Sequence, residues 1–458
     1  MNFDSIIIGA GISGLAAAHS LKQAGRDVLL LESGTRVGGV IQSVEAEGFL
    51  LECGPNSLRG THELLDLVDE LQLNDQLVAA NPKAPAYVYF NRALHPVPMN
   101  PLALLKTKLL STSAKLRLLR EPFIPARRSD TEESLASFVQ RRLGAEMLER
   151  LVAPFVSGVY AGDPERLSVQ AVFARLAELE ADAGSLFKGA INAARAAKAN
   201  KTKPARSLRP YRLCSFAEGL ETLPRALAQS LGESLLTEAH VDSISQISNR
   251  KFQITFTHNQ QTRTVEASSL VLATPSNVAA ELLRELAPEL VTLLAEIPYT
   301  TIAAVPLAYR VSQVARPLDG FGFLAPRGQG LRTLGSIWNS SLFPQRAPDG
   351  FVLTNNFIGG ETDRAAVQLS DDELTSIVHK DLQTVLGITG TPIRLPITRW
   401  PRAIPQYNLG HAARVATIEA ALQQRPGLRI AGNYLHGIAL GDCIRQGKEL
   451  AQAICAAG

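Results

Sequence analysis

The stretch Ser5–Glu32, SIIIGAGISGLAAAHSLKQAGRDVLLLE, decides the fold. Ser5 to Ile8 is apolar and β-branched, as a buried strand requires, Gly9 to Gly14 is a glycine turn, and Leu15 to Leu21 continues at helical spacing until Ala24-Gly25 stops it. Asp27 to Leu31 is a second buried strand ending at Glu32, so the segment predicts a βαβ unit opening a parallel sheet. Gly9, Gly11 and Gly14, with Ile12 and Ser13 between them, stand between strand and helix. There the missing side chains let the backbone approach a pyrophosphate, and the helix N-terminus stabilises its charge. Glu32, 18 residues past Gly14, is placed to accept hydrogen bonds from both ribose hydroxyls of an adenine dinucleotide. A 2′-phosphate would be repelled, which disfavours NADP. The competing reading is a glycine-rich turn that holds no ligand.

Arg36, Gly38 and Gly39 follow closely. A second glycine pair with an arginine favours FAD over NAD; the alternative is a surface turn with a solvated arginine. Near the C-terminus, Arg429 to Asn433 reads as a short strand ending in Gly432 and Asn433, and Gly437, Ile438 and Ala439 lead into a last helix. A second helix N-terminus aimed at a flavin ring would stabilise the negative charge that develops at N1 and O2 on reduction. Taken alone, the segment equally suits an ordinary strand, turn and helix.

Composition narrows the classes. The chain has 458 residues, enough for two to four domains at roughly 150 residues each. Its 46% hydrophobic and 19% charged residues exclude wholesale disorder. A net charge of +3 is too small to make nucleic acid the main partner. Cys53, Cys214, Cys443 and Cys455 stand far apart with no CxxC spacing, so neither a zinc site nor a disulfide framework is expected, and a reducing cytoplasmic setting fits. No uninterrupted apolar run reaches the length of about 18 residues needed to cross a bilayer. The acidic Asp4 and the strand that follows it do not read as a signal peptide.

Pro101 to Phe123 changes character: Leu102, Leu104, Leu105, Leu109, Leu110, Leu116, Leu118 and Leu119 are interleaved with Lys106, Lys108, Lys115, Arg117 and Arg120. A basic, leucine-rich helical region of this kind could lie in a membrane interface or pack on neighbouring helices with a solvated basic face. Helical patterns continue from Thr131 to Leu151 and from Leu167 to Ala199, so one helical insertion is expected over about residues 98–205. The run from Lys188 through Arg212, basic and low in complexity, reads as a mobile surface segment. Gly219 to Leu231 is helical. Ser243–Phe256 and Thr262–Val265 read as an antiparallel meander, with Leu270–Ala273 as a separate buried strand. Pro298 to Pro401 mixes short strands with glycine turns, which predicts a second sheet.

The chain resembles the oxygen-dependent, FAD-containing family of protoporphyrinogen and coproporphyrinogen oxidases. The resemblance rests on Gly9–Gly14 with Glu32, Arg36–Gly39, Gly54-Pro55-Asn56-Ser57-Leu58, Leu94–Pro98 (LHPVP), Ser157–Pro164 (SGVYAGDP), Gly320–Pro326 (GFGFLAP), Pro405–His411 (PQYNLGH) and Gly432–Gly447 (GNYLHGIALGDCIRQG). It implies an α/β fold like that of amine oxidases and p-hydroxybenzoate hydroxylase: a Rossmann-like FAD-binding domain at 1–84, 218–280 and 425–458, a mixed-sheet substrate domain at 85–97, 206–217 and 281–424, and a helical, membrane-binding insertion at 98–205. It also implies that FAD is held by the residues already named together with Ser33, Val40, Gly54, Pro55, Asn56, Ser57, Val241 and Ala273. The porphyrinogen ring would lie between Leu324, Ile337 and Phe357, with the Gly162 carbonyl meeting the pyrrole N–H groups and Asn56 nearby. Three hydride transfers to flavin N5, with O2 as the final acceptor yielding H2O2, would convert porphyrinogen to porphyrin for haem or chlorophyll synthesis. An amine oxidase or carotenoid desaturase on the same scaffold is the alternative. Peripheral membrane contact and a homodimer are compatible with this family.

One departure matters. Where many family members carry an arginine that pairs with a substrate propionate, this chain has Ala86, before Tyr87, and Arg92 is the candidate replacement because guanidinium geometry suits a carboxylate. His411 is read as satisfying nearby backbone groups and not as a base, and Cys443 as a buried thiol with no covalent flavin link.

Overall fold

The computed structural model describes residues 1–127, 131–199, 212–248 and 251–457. The βαβ unit forms as the opening stretch dictates: strand β1 (Asn2–Ile8), helix α1 (Ile12–Gln23) and strand β2 (Val28–Leu31). β1 and β2 pair in parallel, Ser5 opposite Val28 through Ile8 opposite Leu31. Alternation sends these side chains to both faces. Ile7, Leu30 and Val271 join the core that contains α1 and Ile444, while Ile6, Ile8, Leu29, Leu31, Leu270 and Leu272 join a second core with Phe252, Phe256 and Leu290. A strand buried on both faces must be apolar at every position, which is why the run carries no alternation of its own.

The sequence reading of Thr262–Val265 and Leu270–Ala273 as two strands needs correction. Gln261–Leu272 is one strand. Its first half pairs antiparallel with Lys251–His258, and its second half runs parallel to β1 and to Leu428–Ile430. The polar interval does not break the strand, because β1 supplies ladder partners through it, Asn2 opposite Glu266 and Ser5 opposite Ser269. Ser243–Phe256, read as one strand, is divided between Ala239–Ser248 and Lys251–His258, which pair antiparallel and complete the meander.

A second sheet has Ile302–Arg310 and Phe351–Gly359 at its centre, then Gly335–Ile337, Gly322–Leu324, Ala86–Phe90 and Ala93–Pro96. One face is covered by the helix Asp371–Leu386: Tyr89, Val305, Leu307, Phe323 and Ile358 pack on Leu374, Val378 and Leu382. The opposite face meets Glu52 and Asn56 through Asn355, and the helical region where Gly158 approaches Leu324.

Helices Pro101–Lys106, Thr112–Leu119, Leu135–Arg142, Ala153–Val159, Ala174–Ala183 and Leu186–Ala199 bear out a helical reading of this stretch. They share a core of their own around Leu118, Leu135, Phe138, Val139 and Val156. Of the basic run from Lys188 to Arg212 expected to be mobile, residues 200–211 lie outside the described residues, while residues 188–199 belong to the helix Leu186–Ala199 and correct that reading. Among the described residues, no helix is long and apolar enough to cross a membrane.

Candidate active site

The glycine turn builds a cradle whose dimensions exclude side chains. A Cβ on Gly14 would lie 2.0 Å from the Gly9 carbonyl oxygen, so only glycine lets α1 start this close to β1. A Cβ on Gly11, by contrast, would meet nothing within 4 Å. The cradle is therefore open where a ligand backbone would pass and closed where helix meets strand. Gly11 caps α1 without any side-chain hydrogen bond, and the first turn holds no acid, so the helix's leading N–H groups are left to an incoming anion.

The second glycine pair is tied to the first turn: the Gly38 N–H donates to the Ala10 carbonyl at 2.8 Å, and Gly11 and Gly38 form a bridge. Arg36 folds over this loop, donating to the carbonyls of Val37, Gly39 and Ile41. Glu32 accepts from the backbone N–H groups of Ala10 at 2.7 Å and Gly34 at 2.8 Å, which orients its carboxylate while leaving lone pairs for ribose hydroxyls. Val241 reaches the same end because the Ala239 N–H donates to the Glu32 carbonyl. Ala273 continues the central strand and donates from its N–H to the Ile8 carbonyl. Gly9, Gly11, Glu32, Gly39, Val40 and Ala273 keep solvent exposure beside a buried sheet, as a cradle rim should. These residues fit an adenine dinucleotide pyrophosphate and ribose.

The C-terminal segment reaches the same region. The helix Leu440–Ala457 packs along α1 so closely that a Cβ on Gly447 would lie 2.6 Å from the Ser13 carbonyl oxygen. Tyr407 spans the loop ahead of that helix: its hydroxyl donates to the Asn433 carbonyl at 2.5 Å and accepts from the Gly437 N–H at 2.9 Å. Burial holds its proton on, far above the usual phenol range. The His411 ring stacks on Tyr407, centroids 4.1 Å apart. Here the sequence reading needs amendment, since neither ring nitrogen of His411 makes a hydrogen bond of normal geometry. Burial pushes His411 down to about 4, only partly opposed by the Leu435 backbone, so it is a neutral stacking ring. Cys443 is buried, and burial pushes its thiol up to about 11, which keeps it unreactive.

The second sheet brings the apolar candidates together. Leu324, Gly335 and Phe357 stand opposite one another across three strands, and Gly322, Ile337 and Asn355 form the adjacent row. By two-residue alternation all six lie on the face away from the covering helix. Leu324, Ile337 and Phe357 are each half-buried while their strand neighbours are buried, so the apolar face is open. Ala86, opposite Gly322, adds a methyl to the same row.

Asn56 ties the loop after the Phe49–Glu52 strand to the second sheet. Its Oδ1 accepts from Asn339 Nδ2 at 2.8 Å and Asn355 Nδ2 at 3.0 Å, and its own Nδ2 donates to the Gly54 carbonyl. Gly54 lies against Val40, and Pro55 and Ser57 flank Asn56, each half-buried. Four residues before Asn56, at the end of the Phe49–Glu52 strand, buried Glu52 accepts from Arg346 at 2.7 Å, from Ser43 Oγ and from the Leu220 N–H; burial pushes its carboxyl up to about 7 against the pull of Arg346. The helical insertion contributes at the face's edge: a Cβ on Gly158 would lie 2.2 Å from Leu324 Cδ2, and Gly162 follows four residues on, buried. Arg92 stands apart at the exposed tip of the Ala86–Pro96 hairpin, where the Asn91 N–H donates to Gln329.

Sequence reasoning missed Asn339, Asn355, Tyr407, Glu52 and Arg346. Two asparagines inside an otherwise apolar strand were a signal for Asn355, because an amide there needs partners. Nothing local marked Asn339 or Arg346, whose partners lie hundreds of residues away. Among the described residues, no cluster of three or more metal-ligating side chains occurs.

The profile of flavin containing amine oxidoreductases matches residues 12–455. A chloroplastic protoporphyrinogen oxidase of Oryza sativa subsp. japonica is 37% identical over 98% of this chain and 88% of that one. A coproporphyrinogen III oxidase of Bacillus subtilis is 31% identical over 97% and 96%. The crystal structure of an Exiguobacterium sp. 255-15 protein assigned to protoporphyrinogen oxidase superposes with a TM-score of 0.81 at 26% identity, covering 99% of each chain.

Proposed function

Since the chain belongs to the flavin-containing amine oxidoreductases, we propose that it oxidises protoporphyrinogen IX to protoporphyrin IX. FAD is its cofactor, and when bound it supplies a hydride acceptor at N5 and passes the electrons to O2, giving H2O2. The rest is the protein's work. Gly9, Gly11, Ile12, Ser13 and Gly14 hold the pyrophosphate, with Arg36, Gly38, Gly39 and Val40 closing over it, Glu32 and Ser33 the ribose, and Val241 and Ala273 the adenine end. Gly54, Pro55, Asn56, Ser57, Gly432, Asn433, Gly437, Ile438 and Ala439 surround the ring end. Leu324, Ile337 and Phe357 form the apolar face against which a largely apolar macrocycle, puckered at its sp3 methylene bridges, is held, with water excluded from the reacting methylene carbon.

The observation that carries this reading is the open apolar face: three half-exposed large side chains on one sheet face, tied through Asn355 and Asn56 to the FAD cradle. Ala86 offers no charge at the apolar face, so a substrate propionate would meet the Arg92 guanidinium only where it extends beyond that face toward the exposed hairpin tip. The exposed Leu102, Leu105, Leu116, Leu119 and Phe123, beside Lys106, Lys108 and Arg120, make the helical insertion a peripheral membrane contact through which an apolar substrate enters.

The test is anaerobic. The purified holoprotein is mixed with protoporphyrinogen, and separately with coproporphyrinogen, while the oxidised-flavin band is followed. Protoporphyrinogen is expected to bleach it faster; faster bleaching by coproporphyrinogen would reassign the substrate, and no bleaching by either would overturn the reading. Phe357→Ala should raise the KM for porphyrinogen about tenfold with flavin content unchanged, the loss expected for removing one apolar wall.

A further inference from the structure

Resting on the porphyrinogen reading, we propose that Gln406 is a positioning residue that shapes the Tyr160–Gly162 loop so that the Gly162 carbonyl is presented to a substrate N–H. The loop has an unusual backbone. Ala161 sits at φ +48°, left-handed territory that a residue with a Cβ adopts only when its surroundings impose it. Two ties impose it. The buried Gln406 amide donates from Nε2 to the Tyr160 carbonyl at 2.9 Å, and the Glu361 N–H donates to the Ala161 carbonyl at 2.8 Å.

The third carbonyl in the series is different. Gly162 is buried, yet its carbonyl accepts no hydrogen bond among the described residues. A carbonyl on a buried residue usually has a donor within the protein, so its lack here leaves Gly162 O free for a donor that arrives with a ligand. The loop lies where such a ligand would be. The helix before it presses Gly158 onto Leu324, and Ala161 is tied to the residues that follow the Phe357 strand. A ring lying on Leu324, Ile337 and Phe357 therefore brings its edge to Gly162. A porphyrinogen carries N–H donors and no better partner for a carbonyl.

Gln406 is built to hold this arrangement. It is fully buried, its backbone N–H is fixed by the Pro298 carbonyl at 2.8 Å, and its Oε1 has no hydrogen-bond partner. That oxygen lies 2.5 Å from where a Gly162 Cβ would be, so the amide is seated directly against the glycine's α-carbon. One face of Gln406 orders the Tyr160 carbonyl, and the other reserves the space that only glycine leaves.

The test uses the FAD-loaded full chain with porphyrinogen. Gln406→Met keeps the volume and removes the donor; KM should rise about tenfold while FAD content and the rate of flavin reduction by dithionite stay as in the wild type. Gln406→Glu adds a pH signature. A buried carboxyl binds its proton more tightly than an exposed one, and only the protonated form donates to the Tyr160 carbonyl. KM of this variant should therefore approach the wild-type value as pH falls from 8 to 6, a recovery that Gln406→Met lacks. Wild-type bleaching with an unchanged KM in Gln406→Met, or no recovery at low pH in Gln406→Glu, overturns the proposal. So does loss of FAD by both variants at every pH, because the proposal gives Gln406 no part in flavin retention. Failure of the wild type to be bleached removes the porphyrinogen reading itself, and this inference with it.

Discussion

Single residues do much of the positioning, and they do it by what they lack as often as by what they carry. At Gly14 any side chain would overlap the Gly9 carbonyl, so the glycine spacing is a packing requirement before it is a ligand signature. Glu32 works the other way, its carboxylate oriented by two backbone N–H groups and left with acceptor capacity. Glu32→Ala should weaken FAD retention at least tenfold, from the lost charge-assisted ribose hydrogen bonds, as read by flavin stoichiometry after dialysis. Normal stoichiometry would remove the ribose role. His411 yields a prediction in pH. In the unfolded chain it takes a proton near 6.5, but in the folded protein burial holds that off until about 4. The unfolded state binds the extra proton in between, so this residue's contribution is intact above 6.5 and lost as pH falls toward 4, on the order of 2–4 kcal/mol. His411→Phe, which keeps the stack on Tyr407, should flatten the decline of thermal stability across that window. An unchanged slope from pH 6.5 to 4 would assign the acid sensitivity elsewhere. The stack on Tyr407 lies within PQYNLGH itself, but the neutral state of His411 was not legible there, because the burial that lowers its pKa and the Leu435 backbone that opposes it depend on chain from outside the motif.

At the scale of elements, some boundaries followed from local pattern and others from neighbours. α1 starts at the glycine turn and ends at Ala24-Gly25 as its own residues require. The Gln261–Leu272 strand runs through a polar interval that propensity alone would break, because the neighbouring β1 ladder holds it. The helix Leu186–Ala199 depends on a partner from far upstream. Glu121, fully buried, accepts from the Leu186 and Phe187 N–H groups and from Ser185 Oγ, and pairs with buried Arg142. Burial alone would raise its carboxyl, but these hydrogen bonds hold it below the usual carboxylate range. Glu121→Gln should destabilise the helical insertion by about 3 kcal/mol, since it removes the buried charge paired with Arg142 and leaves that guanidinium only the more distant Glu180 carboxylate, at 3.4 Å. Limited proteolysis should then cut first within residues 101–199, and a cleavage pattern like the wild type's would contradict this.

Across the whole molecule, function depends on surfaces that three separate stretches of chain share. The FAD cradle is completed by a helix from the C-terminus, and the apolar face is approached by a loop from the helical insertion. That insertion also displays Met99 and Phe123, each 84% exposed, on the outside of its own core. The double variant Leu102→Glu, Leu105→Glu should lose most co-sedimentation with vesicles containing anionic lipid while keeping its turnover of detergent-dispersed porphyrinogen. Full retention on vesicles would leave these leucines without a membrane role.

The sequence by itself determined the βαβ opening and the cofactor class, while Leu324, Ile337 and Phe357 were marked only by the family resemblance. Glycine spacing and strand alternation are local constraints, written where they act. What joins these parts was decided only by tertiary structure: the Asn56–Asn339–Asn355 cluster, the Glu52–Arg346 pair, the Tyr407 clasp and the Gln406 amide against Gly162. The physical reason is that a buried polar group must find a partner, and the partner is chosen by which surfaces meet in space. No spacing along the chain encodes that meeting; the packed sheets and the helical insertion do.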